Sequence, residues 1–459
     1  MKFDFHFKPK LLPGLFFCFA LLTSAAPPLY CVTIENVPAA YGLNSRLPSR
    51  PCLQMPDLSS GSIPRLLSRT GVFKNTPRLV PEDALIPYDL IVSFWSDGAA
   101  KSRWISVPTQ KITFAPSGEW VFPKGTVFVK HFELNTDETN PDIRRRIETR
   151  LLVCDANGGV YGVTYKWRPD NSDADLLDTN LTEAITIKTA AGTRTQMWYY
   201  PSRQDCLTCH TADAGYVLGP KTRQLNHDFN YPSGVTDNEL RTWNQLKLFN
   251  TNLDESTLKD LPSLAPTDDL KRTLEDRARS YLDANCANCH RPHGTVAYFD
   301  ARYDTPLAQQ YLINGPVLID ERLEHPRVIA PNDIYRSILF LRANTTEAFK
   351  MPPLDRNTID ASGMMLLRQW IESLPGPPVL PPPEISPRGG TFDQPVTVTI
   401  SSEPNASVRY TLDGTVPTSS DFLYQKPLQL TGPTILRAKA FRQGYTKSVA
   451  VQEIFLIGQ

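Results

Sequence analysis

The sequence lacks a net charge and has no long hydrophobic run beyond its first residues. Its 459 residues include 48 Lys plus Arg and 48 Asp plus Glu, so the formal net charge is zero. This balance does not indicate a nucleic-acid partner. After residue 22 no stretch is apolar over the roughly 20 residues that a membrane helix needs. We therefore expect a mature chain without a membrane span and without nucleic acid, and its length predicts about three domains.

The N-terminus has the composition of a secretion signal. Three lysines lie within the first ten residues, an apolar run covers residues 11–22, and small residues at 23–26 offer a cleavage site. The run of about a dozen residues is short for a membrane span. We expect a cleaved signal peptide at residues 1–25 and an exported protein, periplasmic or at the cell surface. A buried first helix and an uncleaved anchor are the alternatives.

Periodicity and composition predict a multidomain α+β protein. Alternating apolar residues at 126–134 and 150–167 indicate strands, and Asn157-Gly158 is typical of a hairpin turn. Helical periodicity covers residues 237–249, 268–285 and 364–374. The expected order is a signal peptide (1–25), an extended lead-in (26–85), a β-rich domain (86–270), an α-helical domain (271–376), a proline-rich linker (377–384) and a small β-sandwich (385–459).

The sequence spells C-x-x-C-H twice, as Cys206-Leu-Thr-Cys209-His210 and Cys286-Ala-Asn-Cys289-His290. Two thiols at this spacing can add to the two vinyl groups of one haem, and the adjacent histidine can then reach the iron. The motifs therefore predict two covalently bound haem c groups, with His210 and His290 as proximal iron ligands.

Other uses of these cysteines explain the sequence less well. Structural zinc pairs usually lie about 15–20 residues apart, whereas most of a domain separates Cys209 from Cys286. A thioredoxin-like pair needs a βαβ setting and no histidine, and two disulfides would leave both histidines unexplained. Cys18 lies in the signal. Cys31, Cys52 and Cys154 allow one disulfide and one free thiol, but the sequence does not identify the pair.

A methionine follows the second motif at Met351, directly before Pro352-Pro353. The order of helix, C-x-x-C-H, Met-Pro-Pro and closing helix resembles the class I cytochrome c domain over residues 271–376. The resemblance implies an α-helical cytochrome c-like domain in which Met351 is the distal ligand of the second haem. A core methionine is the alternative. Histidine with methionine suits an iron that passes electrons.

The first motif has no such methionine, because none lies between His210 and Met351. Its distal ligand must come from elsewhere in the chain. His131 is the leading candidate, since the strand pattern places it on one face with Val127 and Val129. Met197 and His227 are the alternatives. A hydrogen-bonded core histidine is the competing interpretation of His131.

Residues 50–376 resemble a family of exported bacterial dihaem cytochromes that join a β-rich haem module to a class I-like domain. The likeness is carried by residues 94–104, 162–167, 200–210 and 219–226. Members of that family often accompany periplasmic quinone-dependent sugar dehydrogenases. The resemblance implies a redox protein partner, either a dehydrogenase or another cytochrome.

The C-terminal residues 385–459 resemble the chitobiase/β-hexosaminidase C-terminal domain. The likeness is carried by residues 385–392, 410–418 and 436–441. It implies a small β-sandwich that serves as a spacer, as a contact module or in carbohydrate contact, and it implies no catalytic residue.

The sequence as a whole predicts an electron carrier rather than a catalyst. Electrons would pass between a periplasmic donor and a downstream acceptor. One alternative is a dihaem peroxidase or oxidase in which one haem iron keeps an open position. The other is a cell-surface redox protein that binds carbohydrate.

Overall fold

The structure is a computed structural model and describes residues 40–57, 61–321 and 323–458. The predicted signal peptide, Cys18 and Cys31 lie outside these residues. Strands account for 29% of the structure and helices for 15%, so the protein is β-rich. No helix among the described residues is long and apolar enough to span a bilayer.

The largest sheet is a six-stranded antiparallel meander, and a short pair of strands, β1 (Phe73–Asn75) and β2 (Val80–Pro81), precedes it. The strands of the meander are β3 (Ile86–Tyr88), β4 (Ala100–Ser106), β5 (Val127–Asn135), β6 (Arg144–Cys154), β7 (Val160–Trp167) and β8 (Ala174–Leu176). The hairpin predicted at 150–167 is confirmed, since Cys154 pairs with Val160 across β6 and β7. Gly158 turns the chain with a φ of +97°, which glycine adopts without strain.

Both faces of this sheet are buried, because alternation along β5 sends side chains into two cores. Val127 and Val129 belong to a core that includes Tyr165. Phe128 lies on the opposite face, in a core that includes Trp243. The face of Phe128 also carries the first candidate site.

Two hairpins follow the sheet in the chain. They pair β9 (Leu181–Thr189) with β10 (Gly192–Tyr200), and β11 (Asp228–Asn230) with β12 (Thr236–Asn238). β10 leads directly into the first C-x-x-C-H motif.

The helices are short. They are α1 (Arg203–Cys209), α2 (Thr222–Leu225), α3 (Glu239–Gln245), α4 (Leu274–Asn285), α5 (Ile338–Ala343) and α6 (Ala361–Ser373). α4 begins after Thr273 and α6 after Asp360, and each of these side chains accepts a hydrogen bond from the backbone of the first turn. Gly363 lets α6 approach α4 closely, since a Cβ there would lie 2.4 Å from the ring of Tyr281.

The predicted α+β fold class, with an α-helical cytochrome c-like domain at 271–376, is wrong. Helices α4, α5 and α6 within that range have only 12, 6 and 13 residues. The chain between α4 and α5 is irregular apart from a 3-10 turn at Leu307–Gln309. Prolines recur along that stretch, and proline is excluded from helix interiors because it lacks a backbone N–H and its ring clashes with the preceding turn.

The C-terminal residues form two packed sheets around their own core, as predicted. The strands are β13 (Glu384–Ser386), β14 (Gly390–Phe392), β15 (Val396–Ser401), β16 (Ser407–Thr411), β17 (Phe422–Leu423), β18 (Leu428–Leu430), β19 (Thr434–Phe441) and β20 (Val451–Ile457). One sheet has the order β13-β15-β18 and the other β14-β20-β19-β16-β17. Val398, Leu436 and Phe455 are fully buried between them.

Candidate functional site

The first C-x-x-C-H motif lies on α1 and at its C-terminal end. Ser202 and Asp205 form a reciprocal capping box that starts the helix. Cys206 packs onto β7 at Gly162, where a Cβ would lie only 2.6 Å from the Cys206 sulfur. The glycine therefore leaves the space that this cysteine occupies.

The ring of His210 is held in one orientation. Its Nδ1 donates a hydrogen bond to the backbone carbonyl of Tyr216 at 2.6 Å. With the proton on Nδ1, the Nε2 lone pair is free to bind a metal, the arrangement usual for iron-bound or zinc-bound histidines. Burial lowers the pKa of His210 to about 4, so the imidazole is neutral at neutral pH.

Cys206, Cys209 and His210 line a cavity of about 1450 Å³, part of it open to solvent, which we call cavity 1. Its apolar walls include Leu90, Val92, Phe94, Phe128, Val217 and Leu218.

Basic side chains also reach cavity 1. Arg103, Lys130 and Arg150 line it from three neighbouring strands. Arg150 forms a bidentate pair with Asp355, with both N–O distances at 2.6 Å. Burial, reinforced by the neighbouring Lys101 and Arg103, lowers the pKa of Lys130 well below its usual value.

The second motif begins where α4 ends. Cys286 and His290 line a second apolar cavity of about 1040 Å³, which we call cavity 2. His290 stacks on Phe299 with ring centroids 4.2 Å apart, and its buried Nδ1 has no hydrogen-bond partner within the described residues. Burial lowers the pKa of His290 to about 4.

Met351 lines cavity 2 together with His290, as the sequence analysis requires of a distal ligand. The residues that follow Met351 lead from cavity 2 to cavity 1. Pro352 lines both cavities, and Pro353, Leu354 and Asp355 line cavity 1. We call residues 351–355 the partition loop.

The two motifs lie side by side. Asn285 lines both cavities, and Cys289 of the second motif lines cavity 1. As free thiols, Cys209 and Cys289 contact each other: a hydrogen bond between them lowers the pKa of Cys289 to about 7 and raises that of Cys209. This contact could not be predicted from the sequence, because it joins residues far apart in the chain.

The structure does not bring His131 to His210. The His131 Nδ1 is 2.8 Å from the Thr149 hydroxyl, its Nε2 lies 3.6 Å from Glu133, and its ring meets the edge of Trp167. Because it alternates with Lys130, its side chain leaves β5 on the face away from cavity 1. It is a core histidine, which is the competing interpretation named above.

The two alternatives for the first iron also lie elsewhere. Met197 is 44% exposed on β10. The Nε2 of His227 is 3.5 Å from the carboxylate of Glu239. Neither lines cavity 1, and among the described residues that do, His210 is the sole histidine and there is no methionine.

Cys52 and Cys154 are free thiols. The Cys52 sulfur approaches the backbone carbonyl of Cys154 at 4.0 Å, so the two residues are neighbours in the folded chain. Cys31 lies outside the described residues, and its pairing stays undetermined.

The residues present fit two covalently attached haems. Cys206, Cys209 and His210 line one mainly apolar cavity, and Cys286 and His290 line the other. The His210 Nε2 is free to bind iron, and the His290 Nδ1 is buried without a partner among the described residues. Among the described residues, no three His, Cys, Asp or Glu side chains are arranged to hold a metal ion by themselves.

Comparison with known proteins identifies the C-terminal part of the chain. Residues 387–453 match the model of the chitobiase/beta-hexosaminidase C-terminal domain. No curated protein matches the chain. The C-terminal β-sandwich is therefore similar to the C-terminal domain of chitobiase and beta-hexosaminidase.

Proposed function

We propose that this chain is an exported dihaem c-type cytochrome that passes electrons from a periplasmic donor to a downstream acceptor. One observation carries the proposal: Cys206, Cys209 and His210 line one apolar cavity, Cys286 and His290 line a second, and the two cavities share the walls formed by Asn285 and Pro352. Two redox groups held side by side suit electron transfer rather than two separate reactions.

Each motif would hold its group in the same way. The cysteine pairs would form the thioether links, and His210 and His290 would bind iron. Met351 would bind the second iron from the partition loop. When bound, haem supplies one-electron redox chemistry, and a histidine–methionine pair favours a raised potential.

The protein around these groups controls their surroundings. Tyr216 fixes the tautomer of His210 through its carbonyl oxygen. Phe299 fixes the plane of the His290 ring, and Val328 and Leu367 help to keep water from cavity 2. A dry, apolar setting reduces the solvent rearrangement that accompanies a change of charge.

The donor we favour is a periplasmic sugar dehydrogenase. The support is indirect: residues 387–453 match a domain family found with carbohydrate-active enzymes, which favours a location near carbohydrate. Carbohydrate contact by this domain belongs to the same proposal.

A dihaem peroxidase is the second candidate function. The observation in its favour is that no second histidine and no methionine lines cavity 1 among the described residues. A first iron without a sixth ligand would be open to peroxide.

The proposal is tested by counting covalent haems on protein matured in a host with haem-attachment machinery. We expect two haems per chain after denaturation and acid-acetone extraction, measured as the pyridine haemochrome. Replacing Cys206 and Cys209 with alanine should remove one haem, whereas Cys154→Ala, a matched buried cysteine outside both motifs, should retain two. One haem or none on the unmodified protein contradicts the proposal.

A further inference from the structure

Cavity 1 contains a lysine that none of the sequence motifs includes. Along β5, Phe128 and Lys130 line cavity 1, and His131 leaves the strand on the other face. Lys130, the neighbour of the His131 that the sequence favoured, therefore reaches the cavity that His210 lines.

The other acidic and basic side chains of cavity 1 are already engaged. Arg103 donates to Asp89 and Ser93, Arg150 to Glu148 and Asp355, Lys221 to Glu119, and Asp283 accepts from Arg223. Tyr88 stays protonated because burial raises the pKa of its phenol.

Lys130 differs from these groups. Within the described residues its amine has no hydrogen bond and no ion pair, and its recorded contact is with the ring of Phe132, whose centroid is 4.8 Å away. It is only partly exposed, and the cavity is the space it faces.

The charges around Lys130 favour its neutral form. Lys101, Arg103 and Arg150 are its cationic neighbours, and the nearby Asp355 is held by Arg150 through two hydrogen bonds. Like charges in a buried site disfavour an ammonium. A neutral amine has the lone pair that a metal ligand needs.

We propose that Lys130 is the sixth ligand of the iron of a haem attached at Cys206 and Cys209, opposite His210. The inference rests on the proposed function, since it requires that haem. It favours the carrier over the peroxidase, because an amine bound to iron blocks the position that peroxide would take.

The competing role for Lys130 is to neutralise the propionate carboxylates of the same haem. The two roles predict different spectra. A ligand controls the spin state of the iron, whereas a counter-charge to a propionate does not.

The test compares Lys130→Ala and Lys130→Met with the unmodified protein and with Lys101→Ala. Lys101 is a buried neighbour that does not line cavity 1, so its variant is the matched control. Haem content is measured as the pyridine haemochrome, and spin state by EPR and absorption of the ferric protein with and without cyanide.

We expect two low-spin haems in the unmodified protein and in Lys101→Ala. Lys130→Ala should convert one haem to a high-spin form that binds cyanide. Lys130→Met keeps the side-chain length and serves as the control for misfolding of the alanine variant. Its two haems should stay low-spin, and its spectrum should gain a second near-infrared sulfur-to-iron band.

Two results would overturn the assignment while leaving the dihaem function intact. One is two attached haems whose spin states do not change in Lys130→Ala. The other is a high-spin, cyanide-binding haem already present in the unmodified protein. Loss of haem from the unmodified protein would instead contradict the proposed function itself.

Discussion

At the scale of single residues, one glycine decides whether α1 can dock on the sheet. A Cβ at Gly162 would lie 2.6 Å from the sulfur of Cys206 and 2.7 Å from its Cβ. Packed interiors do not absorb such an overlap without moving a backbone or a side chain. Any side chain at this position would therefore displace the first cysteine of the motif.

We predict that Gly162→Ala impairs haem attachment at the first motif only. The pyridine haemochrome should fall from two haems per chain toward one, with the remaining haem unchanged in its spectrum. Gly432→Ala is the matched control, because a Cβ there meets nothing within 4 Å. Full attachment of both haems in Gly162→Ala would show that Cys206 has more room than the packing indicates.

The sequence predicted some site residues and misplaced one. The C-x-x-C-H motifs and Met351 could be proposed because their signal is local spacing, and Met351 and His290 both line cavity 2. The alternation that selected His131 was also correct. It could not show which face of β5 carries the cavity, because both faces are buried. Lys130 gave no signal, since a lysine in a strand is ordinarily interpreted as a solvent-exposed residue.

At the scale of elements, the partition loop is tied to the β-rich part of the chain at its C-terminal end. Arg150 on β6 holds Asp355 by two hydrogen bonds of 2.6 Å. Just beyond the loop, Asp97 accepts hydrogen bonds from the backbone N–H groups of Asn357 and Thr358, both at 2.7 Å. These contacts fix the position of the loop, and with it the position from which Met351 reaches cavity 2.

We predict that Asp355→Asn loosens this loop. Loss of a charged hydrogen-bond acceptor should lower the free energy of unfolding by about 1.5–3 kcal/mol, measured by chemical denaturation. The near-infrared band that reports a methionine–iron bond should weaken. Asp178→Asn is the control: its pair with Arg65 is exposed on both sides, and such pairs contribute about 0–1 kcal/mol.

We also predict that the stability difference between Asp355→Asn and the unmodified protein depends on pH. Burial opposes ionisation of Asp355, but Arg150 outweighs it and the pKa of the folded protein lies below the usual 3.8. The stabilising effect is therefore complete above about pH 4–5 and is lost as the pH falls through the folded pKa. The stability of Asp355→Asn should approach that of the unmodified protein at low pH. A constant difference down to pH 2 would contradict the ion pair.

The helices that frame cavity 2 could be predicted from the sequence, but the chain between them could not. Periodicity identified α4 and α6, and the caps Thr273 and Asp360 explain where they begin. Residues 295–299 and 316–319 line cavity 2 as irregular chain. Their course is set by long-range packing, which a periodic pattern does not encode, and the expected helical domain was wrong for that reason.

At the scale of the whole molecule, a buried ionic network crosses the boundary predicted at residue 270. Arg223 pairs with Asp283 at 2.9 Å and with Asp304 at 2.6 Å, and Arg291 pairs with Glu119 at 3.1 Å. Arg223 and Asp283 are almost fully buried. Removing one partner of such a network leaves a buried charge unpaired, so the network holds the two C-x-x-C-H motifs in a fixed arrangement.

The C-terminal sandwich is also docked on the chain that precedes it. Lys439 on β19 is 1% exposed and pairs with Glu324, and Arg336 donates to the carbonyl of Lys447 at 3.0 Å. The proline-rich linker is paired rather than free, since Leu380 and Thr446 are joined by a backbone hydrogen bond of 3.0 Å. The sandwich thus has its own apolar core, and the contacts described above, which join it to the preceding chain, are an ion pair and hydrogen bonds.

We predict that Lys439→Met weakens this attachment and leaves both haems unaltered. Methionine keeps the side-chain length but removes the charge, so Glu324 loses its partner at a cost of about 1–3 kcal/mol. Limited proteolysis within residues 374–379 should become faster, because that segment lies between α6 and the sandwich.

The control is Lys426→Met, at an exposed position on the same sandwich, which should be cleaved at the same rate as the unmodified protein. Since no described residue of the sandwich lines either cavity, haem content and spin states should stay the same. A change in haem content or in spin state would mean that the sandwich shapes the haem sites. An unchanged rate of proteolysis would mean that apolar packing, rather than this ion pair, holds the sandwich in place.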